Sequence, residues 1–256
     1  MTRIMAIAAG KGGVGKTTTT VNLGSALAKL GKNVIIVDTN LTTPNVGLHL
    51  GMHGKMTTLN DVLEGNANII DAIHIHESGM RVIPAGLHMR YLKTTNPNRI
   101  WDTVLDLFGS ADFVLLDTPA GLEEGAKAVL NAGEEVLIVT NPEIPALTDA
   151  LKTVRMAYES GAYVVGAVIN KYRKDPKALR KEEIEAMLDL PVIGIIPHDD
   201  EVRKSIQAKN PVVLRKPKSP GAMAYKRLAS ELAGVEYTVP AEGLPVVNAL
   251  KRMFGV

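Results

Sequence analysis

Apolar positions along this chain follow two alternating periods. Short continuous runs, among them Ile4-Met5-Ala6-Ile7-Ala8, Val34-Ile35-Ile36-Val37, Phe113-Val114-Leu115-Leu116 and Val136-Leu137-Ile138-Val139, read as strands buried on both faces. Further strands are predicted over Met80–Pro84, Tyr163–Ile169 and Val192–Ile196. Between the strands the period lengthens: Val21, Leu23, Leu27 and Leu30 recur near helical spacing, and Gly31 closes that helix. Thr43 reads as a helix N-cap with Pro44 in the first turn, and Ser219-Pro220 repeats that pattern before a helix running to about Leu232. Short helical patterns cover Leu59–Leu63 and Ile69–Ile73, and longer ones Pro97–Phe108 and Pro145–Tyr158. Strand and helix in alternation predict an α/β fold, a doubly wound, mostly parallel sheet with helices on both faces. In such a sheet the functional site lies at the carboxyl ends of the strands.

The pattern changes after residue 233. Residues 1–233 are expected to form one domain and residues 234–243 a linker, because that stretch of Gly, Val, Pro and Glu has no helical period. In residues 244–256, Val246, Val247, Leu250, Met253 and Phe254 share one third of a helix circumference, with Lys251 and Arg252 beside the stripe. This short basic amphipathic helix suits an anionic membrane surface, and the other reading is a helix that packs on the body or on a partner protein. Five apolar side chains at about 1.5 kcal/mol each, with about 1 kcal/mol per basic residue near anionic lipid, favour membrane binding. Ordering so short a helix opposes it, so one copy binds weakly and two on one dimer bind far better.

The composition narrows the classes. With 29 basic and 27 acidic residues among 256, the net charge of +2 supplies no global field for nucleic acid. The absence of cysteine excludes disulfides, thiolate metal sites and cysteine-held iron–sulfur clusters. His49, His53, His74, His76 and His88 have no metal-ligand spacing and read as surface or loop residues. No apolar run approaches the roughly 20 residues that span a bilayer, and the N-terminus lacks a signal-peptide pattern, so a cytoplasmic protein is expected.

The chemistry centres on Gly10-Lys11-Gly12-Gly13-Val14-Gly15-Lys16-Thr17, with Thr18 following, between the first strand and the first helix. The glycines let backbone N–H groups converge at a helix N-terminus, a geometry suited to phosphate. Lys16 would then meet the outer phosphates and the Thr17 hydroxyl a magnesium ion, which implies ATP or ADP with Mg²⁺. Two further strands end in carboxylates, Asp38 and Asp117, and Asp117 has the place of a Walker B metal residue opposite Thr17.

The second lysine, Lys11, makes the loop resemble that of the deviant-Walker ATPases, the family that includes MinD, ParA and the nitrogenase iron protein, and MinD-like members in particular. The resemblance implies a nucleotide-sandwich homodimer in which Lys11 reaches the partner's phosphates. It implies that Asp38 stands with Asp117 around the metal and that Asp38 to Gly51 form a first switch. Thr118-Pro119-Ala120-Gly121 resembles the second switch, and Asn141-Pro142-Glu143 with Asp149 resembles positions facing the partner. Asn170 is implied in adenine recognition, with Pro197 and Asp199 bordering the base and ribose; without the resemblance Asn170 reads as a capping residue. The family's D-x-D pattern becomes Asp38-Thr39-Asn40 here, and an amide at Asn40 holds water but accepts no proton, so slowed hydrolysis is expected.

These features together suggest an ATP-switched, membrane-associating ATPase that positions a division site or other machinery with a regulator or cargo protein. One rival is a DNA-associated positioner using Lys171-Tyr172-Arg173-Lys174 and Arg215-Lys216-Pro217-Lys218, which the amphipathic tail argues against. The other is a slowly hydrolysing ATP-bound scaffold.

Overall fold

The computed structural model describes residues 1–237 apart from His53, Met89, Leu122, Glu123, Pro176 and Lys177. The expected tail and the linker from residue 238 onward lie outside the described residues.

One sheet of eight strands runs through the molecule in the order β3-β4-β2-β5-β1-β6-β7-β8. The strands are β1 (Arg3–Ala8), β2 (Val34–Asp38), β3 (His74–Ile75), β4 (Arg81–Ile83), β5 (Phe113–Asp117), β6 (Glu135–Thr140), β7 (Tyr163–Tyr172) and β8 (Val192–Pro197). Every pairing is parallel except that of β3 with β4. Strand residues alternate between two cores, as the period of two in an extended chain requires. Ile4, Ile35, Val37, Val114 and Leu116 face one core; Met5, Ile7, Ile36, Leu115 and Leu137 face the other.

Helices α1 (Lys16–Lys29) and α11 (Pro220–Ala233) cover the second face through Leu23, Leu27, Tyr225 and Leu228. The first face packs under α5 (Ile100–Leu105), α6 (Glu124–Ala132), α7 (Ile144–Glu159) and α8 (Lys181–Leu188). The doubly wound parallel sheet is thus as expected. The chain order reverses about β1, which lies between β5 and β6, so the loop leaving β1 emerges at the switch point of the sheet.

Local signals set several boundaries. Gly31 takes φ 79° behind α1, the left-handed turn that ends a helix. Ser219 Oγ accepts from Ala222 N–H at 3.3 Å, with Pro220 opening α11. Pro97–Phe108 divides into a 3-10 turn, Pro97–Arg99, and the shorter α5. The first switch departs from its expected start: helix α2 covers Val46–His49 with Asn45 in the cap position, not Thr43. Helix α3 (Leu59–Leu63) lies where it was predicted, and the antiparallel β3 and helices α4 (Tyr91–Thr94), α6, α8, α9 (Asp200–Gln207) and α10 (Val212–Arg215) add to the predicted elements.

His76 is buried rather than on the surface, with its Nδ1 3.0 Å from Ser78 Oγ, and burial lowers its pKa. Among the described residues no group of His, Cys, Asp or Glu has the form of a metal cluster. Nor is any helix long and apolar enough to cross a membrane.

Candidate functional site

The loop from Ala9 to Gly15 joins the buried β1 to the N-terminus of α1. Gly13 and Gly15 have φ 80° and 98°, values that a side chain would strain. At Gly15 a Cβ would also stand 2.1 Å from Asn170 Nδ2. The N–H groups of Gly12, Gly13, Gly15 and Lys16 have no acceptor among the described residues, and Gly12 and Gly13 face open space. Unsatisfied donors around an open concavity at a helix N-terminus fit a phosphate chain.

Behind the loop the sheet register sets Asp38 opposite Asp117, and both are fully buried. Asp117 gathers the floor of the site. Its carboxylate accepts from Thr17 Oγ1 at 2.7 Å and Thr20 Oγ1 at 3.0 Å, and Lys16 Nζ lies 3.4 Å away. Lys16 is itself buried, so hydroxyl, carboxylate and ammonium share one enclosed space. The oxygens of Thr17 and Asp117 form a hard donor set of the kind magnesium takes.

Asp38 has another set of partners. Its Oδ2 accepts from the backbone of Asn45 and Val46, each at 2.9 Å, and its Oδ1 accepts from Asn40 N–H at 3.1 Å. The carboxylate therefore holds the start of α2 from a distance, which is why the helix begins at Val46. Asn40 fastens the intervening loop: its Oδ1 accepts from Thr43 N–H and Thr42 Oγ1, both at 3.1 Å. These bonds keep Thr43 within an Asx-type turn and explain its displacement from the cap.

Burial and the neighbouring Asp117 push the Asp38 pKa up to about 7, against the opposing pull of its backbone N–H donors. Between its ordinary 3.8 and about 7, the folded protein holds a proton on Asp38 that the unfolded chain has released. The folded state then binds more protons, so raising the pH across this window lowers stability by up to ~1.4 kcal/mol per unit. The contribution is fully present below the lower value and gone above the upper one. Urea midpoints of the EDTA-treated, nucleotide-free protein, measured from pH 4 to pH 8 against Asp38→Ala, test this; parallel curves for the two proteins would refute it.

The predicted base-side residues turn towards the loop. Asn170 Nδ2 donates to Val14 O at 2.7 Å, and Asn170 Oδ1 accepts from Lys171 N–H at 2.9 Å. Asn141 joins them: with its amide turned to the orientation in which both its oxygen and its nitrogen find partners, the nitrogen donates to Val14 O at 3.2 Å and Asn170 O at 3.3 Å. Lys171, at φ 56°, extends Nζ to Gly13 O at 2.7 Å. Lys171 belongs to the site although the sequence marked it only as part of a basic run; its position just beyond Asn170 on β7 was the available signal. Beside these residues opens a cleft of about 490 Å³ lined by Pro142, Glu143, Arg173 and His198.

Asp199 caps two helices, accepting from Glu201 N–H and Gly221 N–H at 2.9 Å each, while half-buried Pro197 ends β8. Thr18 meets His49 of α2 at 3.5 Å. Lys11 is exposed at the tip of the loop without a described partner.

A family model described as ParA, NUBPL iron-transfer P-loop NTPase, matches residues 1–233. The iron-transfer part of that description finds no cysteine in this chain. An uncharacterized ATP-binding protein of Methanocaldococcus jannaschii is 37% identical over 233 residues, 91% of this chain and 88% of that protein. Septum site-determining protein MinD of Bacillus subtilis is 32% identical over 270 residues, 100% of this chain and 99% of that one. The structure of MinD from Pyrococcus horikoshii in complex with Mg-ADP superposes with TM-score 0.88 at 37% identity, covering 93% of this chain and 100% of that one. With the loop, the paired aspartates and the strand order already in place, the chain belongs to the ParA/MinD family of P-loop NTPases and is MinD-like within it.

Proposed function

We propose that the protein is an ATPase switch that dimerises around Mg-ATP, attaches to anionic membrane when dimeric, and so positions a division site or another cellular machine. The observation that carries this reading is the division of labour between two lysines. Lys16 is buried against Asp117 on the floor of its own site, whereas Lys11 is exposed on the same loop with no partner among the described residues. A partnerless ammonium beside unsatisfied N–H groups suits the phosphates of a second subunit's nucleotide.

In this reading the N–H groups of Gly12 to Lys16 cradle the phosphates, and Val14 and Thr18 keep the loop seated on α1. Thr17 and Asp117 hold Mg²⁺, and Asp38 transmits its presence to α2. Asn170 and Asn141 fix the loop wall and border the base with Pro197 and Asp199. Asn40 positions water without drawing its proton, so turnover is slow. The tail, with Val246, Val247, Leu250, Met253 and Phe254 inward to lipid and Lys251 and Arg252 at headgroup level, attaches firmly only in pairs. The protein would then move between cytoplasm and the inner face of the membrane, with a regulator or cargo protein reading its state.

DNA is the weaker alternative on structural grounds, because half of its six candidate cations are engaged within the chain. Lys171 bonds Gly13 O, Arg173 meets His198 at 2.9 Å, and Arg215 pairs with Glu201 at 2.8 Å. Co-sedimentation with anionic liposomes of the intact chain and of a form ending at Gly243, each with ATP, ADP or no nucleotide, tests the switch. Only the intact chain with ATP is expected to pellet, with ATP turnover that rises as the dimer forms. Pelleting that ignores nucleotide, or that survives truncation, overturns it.

A further inference from the structure

A larger cavity, of about 820 Å³, borders α2. One wall is α2 and its flanks, through Pro44, Gly47 and Leu48; the facing wall is the turn that leaves β4 at Pro84. Leu87 on that turn is 66% exposed and Leu48 is 43% exposed, so apolar surface continues to the rim. Met52 and Met56 add flexible thioether surface that adapts to a guest's shape.

The charge in this cavity is one-sided once internal pairing is removed. Asp61, its acidic residue, accepts from Thr58 N–H at 2.9 Å, Thr58 Oγ1 at 2.7 Å and Tyr91 Oη at 2.8 Å. Arg90 stands 3.7 Å from the same carboxylate. The Asp61 carboxylate is thus saturated by its own surroundings, and these bonds hold its pKa below the ordinary value although partial burial acts the other way. Lys55, exposed at the mouth, has no described partner, and the exposed His88 ring has no described hydrogen bond. What remains for a guest is apolar walls with cationic and N–H groups at the opening.

We propose that this cavity is a binding site for a small amphipathic anion, an apolar body carrying a carboxylate or phosphate that pairs with Lys55. The volume falls in the range of about 300–1,000 Å³ typical of small-ligand sites, and such sites combine mostly apolar lining with a few placed polar groups. A cationic amphiphile has no comparable partner, since Asp61 is already engaged. The basic tail of this chain, with Lys251 and Arg252, fits poorly for the same reason.

The test is calorimetric titration of the full chain with dodecanoate and with dodecylammonium, both below their micelle concentrations. Dodecanoate is expected to bind one-to-one at least ten-fold more tightly than dodecylammonium. Lys55→Glu, at an exposed side chain without a partner among the described residues, should weaken dodecanoate at least ten-fold and leave thermal unfolding unchanged. Leu48→Asp should remove the one-to-one binding. Equal affinity for the two amphiphiles, or dodecanoate binding indifferent to Lys55→Glu, overturns the proposal and leaves the cavity to a protein segment.

Discussion

Replacing Asp117 with alanine is expected to cost the ligand-free protein about 3 kcal/mol of stability and to reduce magnesium-dependent ATP turnover at least a hundred-fold. Asp117 is wholly buried and binds Lys16, Thr17 and Thr20 at 3.4, 2.7 and 3.0 Å. Without it the buried Lys16 ammonium loses its counter-ion, and breaking one side of a buried pair costs about 3–5 kcal/mol. One effect runs the other way: Asp38 no longer faces a second carboxylate, which relieves part of the strain on its ionised form. That offset places the estimate at the lower end of the range. Asp117→Asn preserves volume and a carbonyl acceptor but not charge, so it should lose less stability while turnover falls as far. Urea unfolding in EDTA and turnover across a magnesium titration separate the two effects. Stability within about 1 kcal/mol of the parent for the alanine variant would show that Asp117 does not carry the floor of this site.

What the sequence disclosed and what it withheld divide along a physical line. The phosphate loop, the strands through it and the carboxylates at strand ends are local features: glycine spacing, a run of apolar residues, a charge where the run stops. Each is written within about ten neighbouring positions, and each lies where the alternating pattern placed it. The start of the first switch helix was not local. Thr43 and Pro44 have good capping chemistry, yet the carboxylate that satisfies the first N–H groups of α2 comes from Asp38, several residues upstream on a strand. Long-range capping of this kind leaves no periodic trace.

The same reasoning covers the base side of the site. Asn170 was read for its amide, and either an adenine edge or a backbone group could satisfy it. The fold supplies the backbone group, because β7 runs alongside β6 and brings Asn170 beneath Val14. Lys171 follows through a left-handed backbone that no residue pattern announced. Asp199, which the resemblance sets at the border of base and ribose, also joins α9 to α11 by accepting from both, a role that no residue pattern announced. His76, read as a surface or loop residue for want of metal-ligand spacing, does lie in the loop between β3 and β4, but the tight hairpin folds it inward.

Gly10 and Gly12 stand two positions apart in one loop and should respond very unequally to alanine. At Gly10 a Cβ would lie 2.1 Å from the carbonyl oxygen of Asp149 and 2.3 Å from its carbon, both backbone atoms within α7. A main-chain neighbour in a helix cannot rotate away as a side chain can. The loop must therefore lift from α7, taking the N–H groups of Gly12 to Lys16 out of register. Overpacking of this kind costs roughly 1–3 kcal/mol or more, so Gly10→Ala is placed at about 3 kcal/mol because the obstruction is rigid. At Gly12 nothing stands within 4 Å of the new methyl and φ lies outside the left-handed range, so Gly12→Ala should stay within about 0.5 kcal/mol. Mg-ADP affinity adds a second reading. It should fall at least a hundred-fold at Gly10, where the whole loop moves, and much less at Gly12, where the only cost is crowding of the phosphates by one methyl group. Equal denaturation midpoints for the two variants would mean that the loop is not braced on α7. The rigidity assigned to the phosphate cradle would then have to come from Asn170 and Lys171 alone.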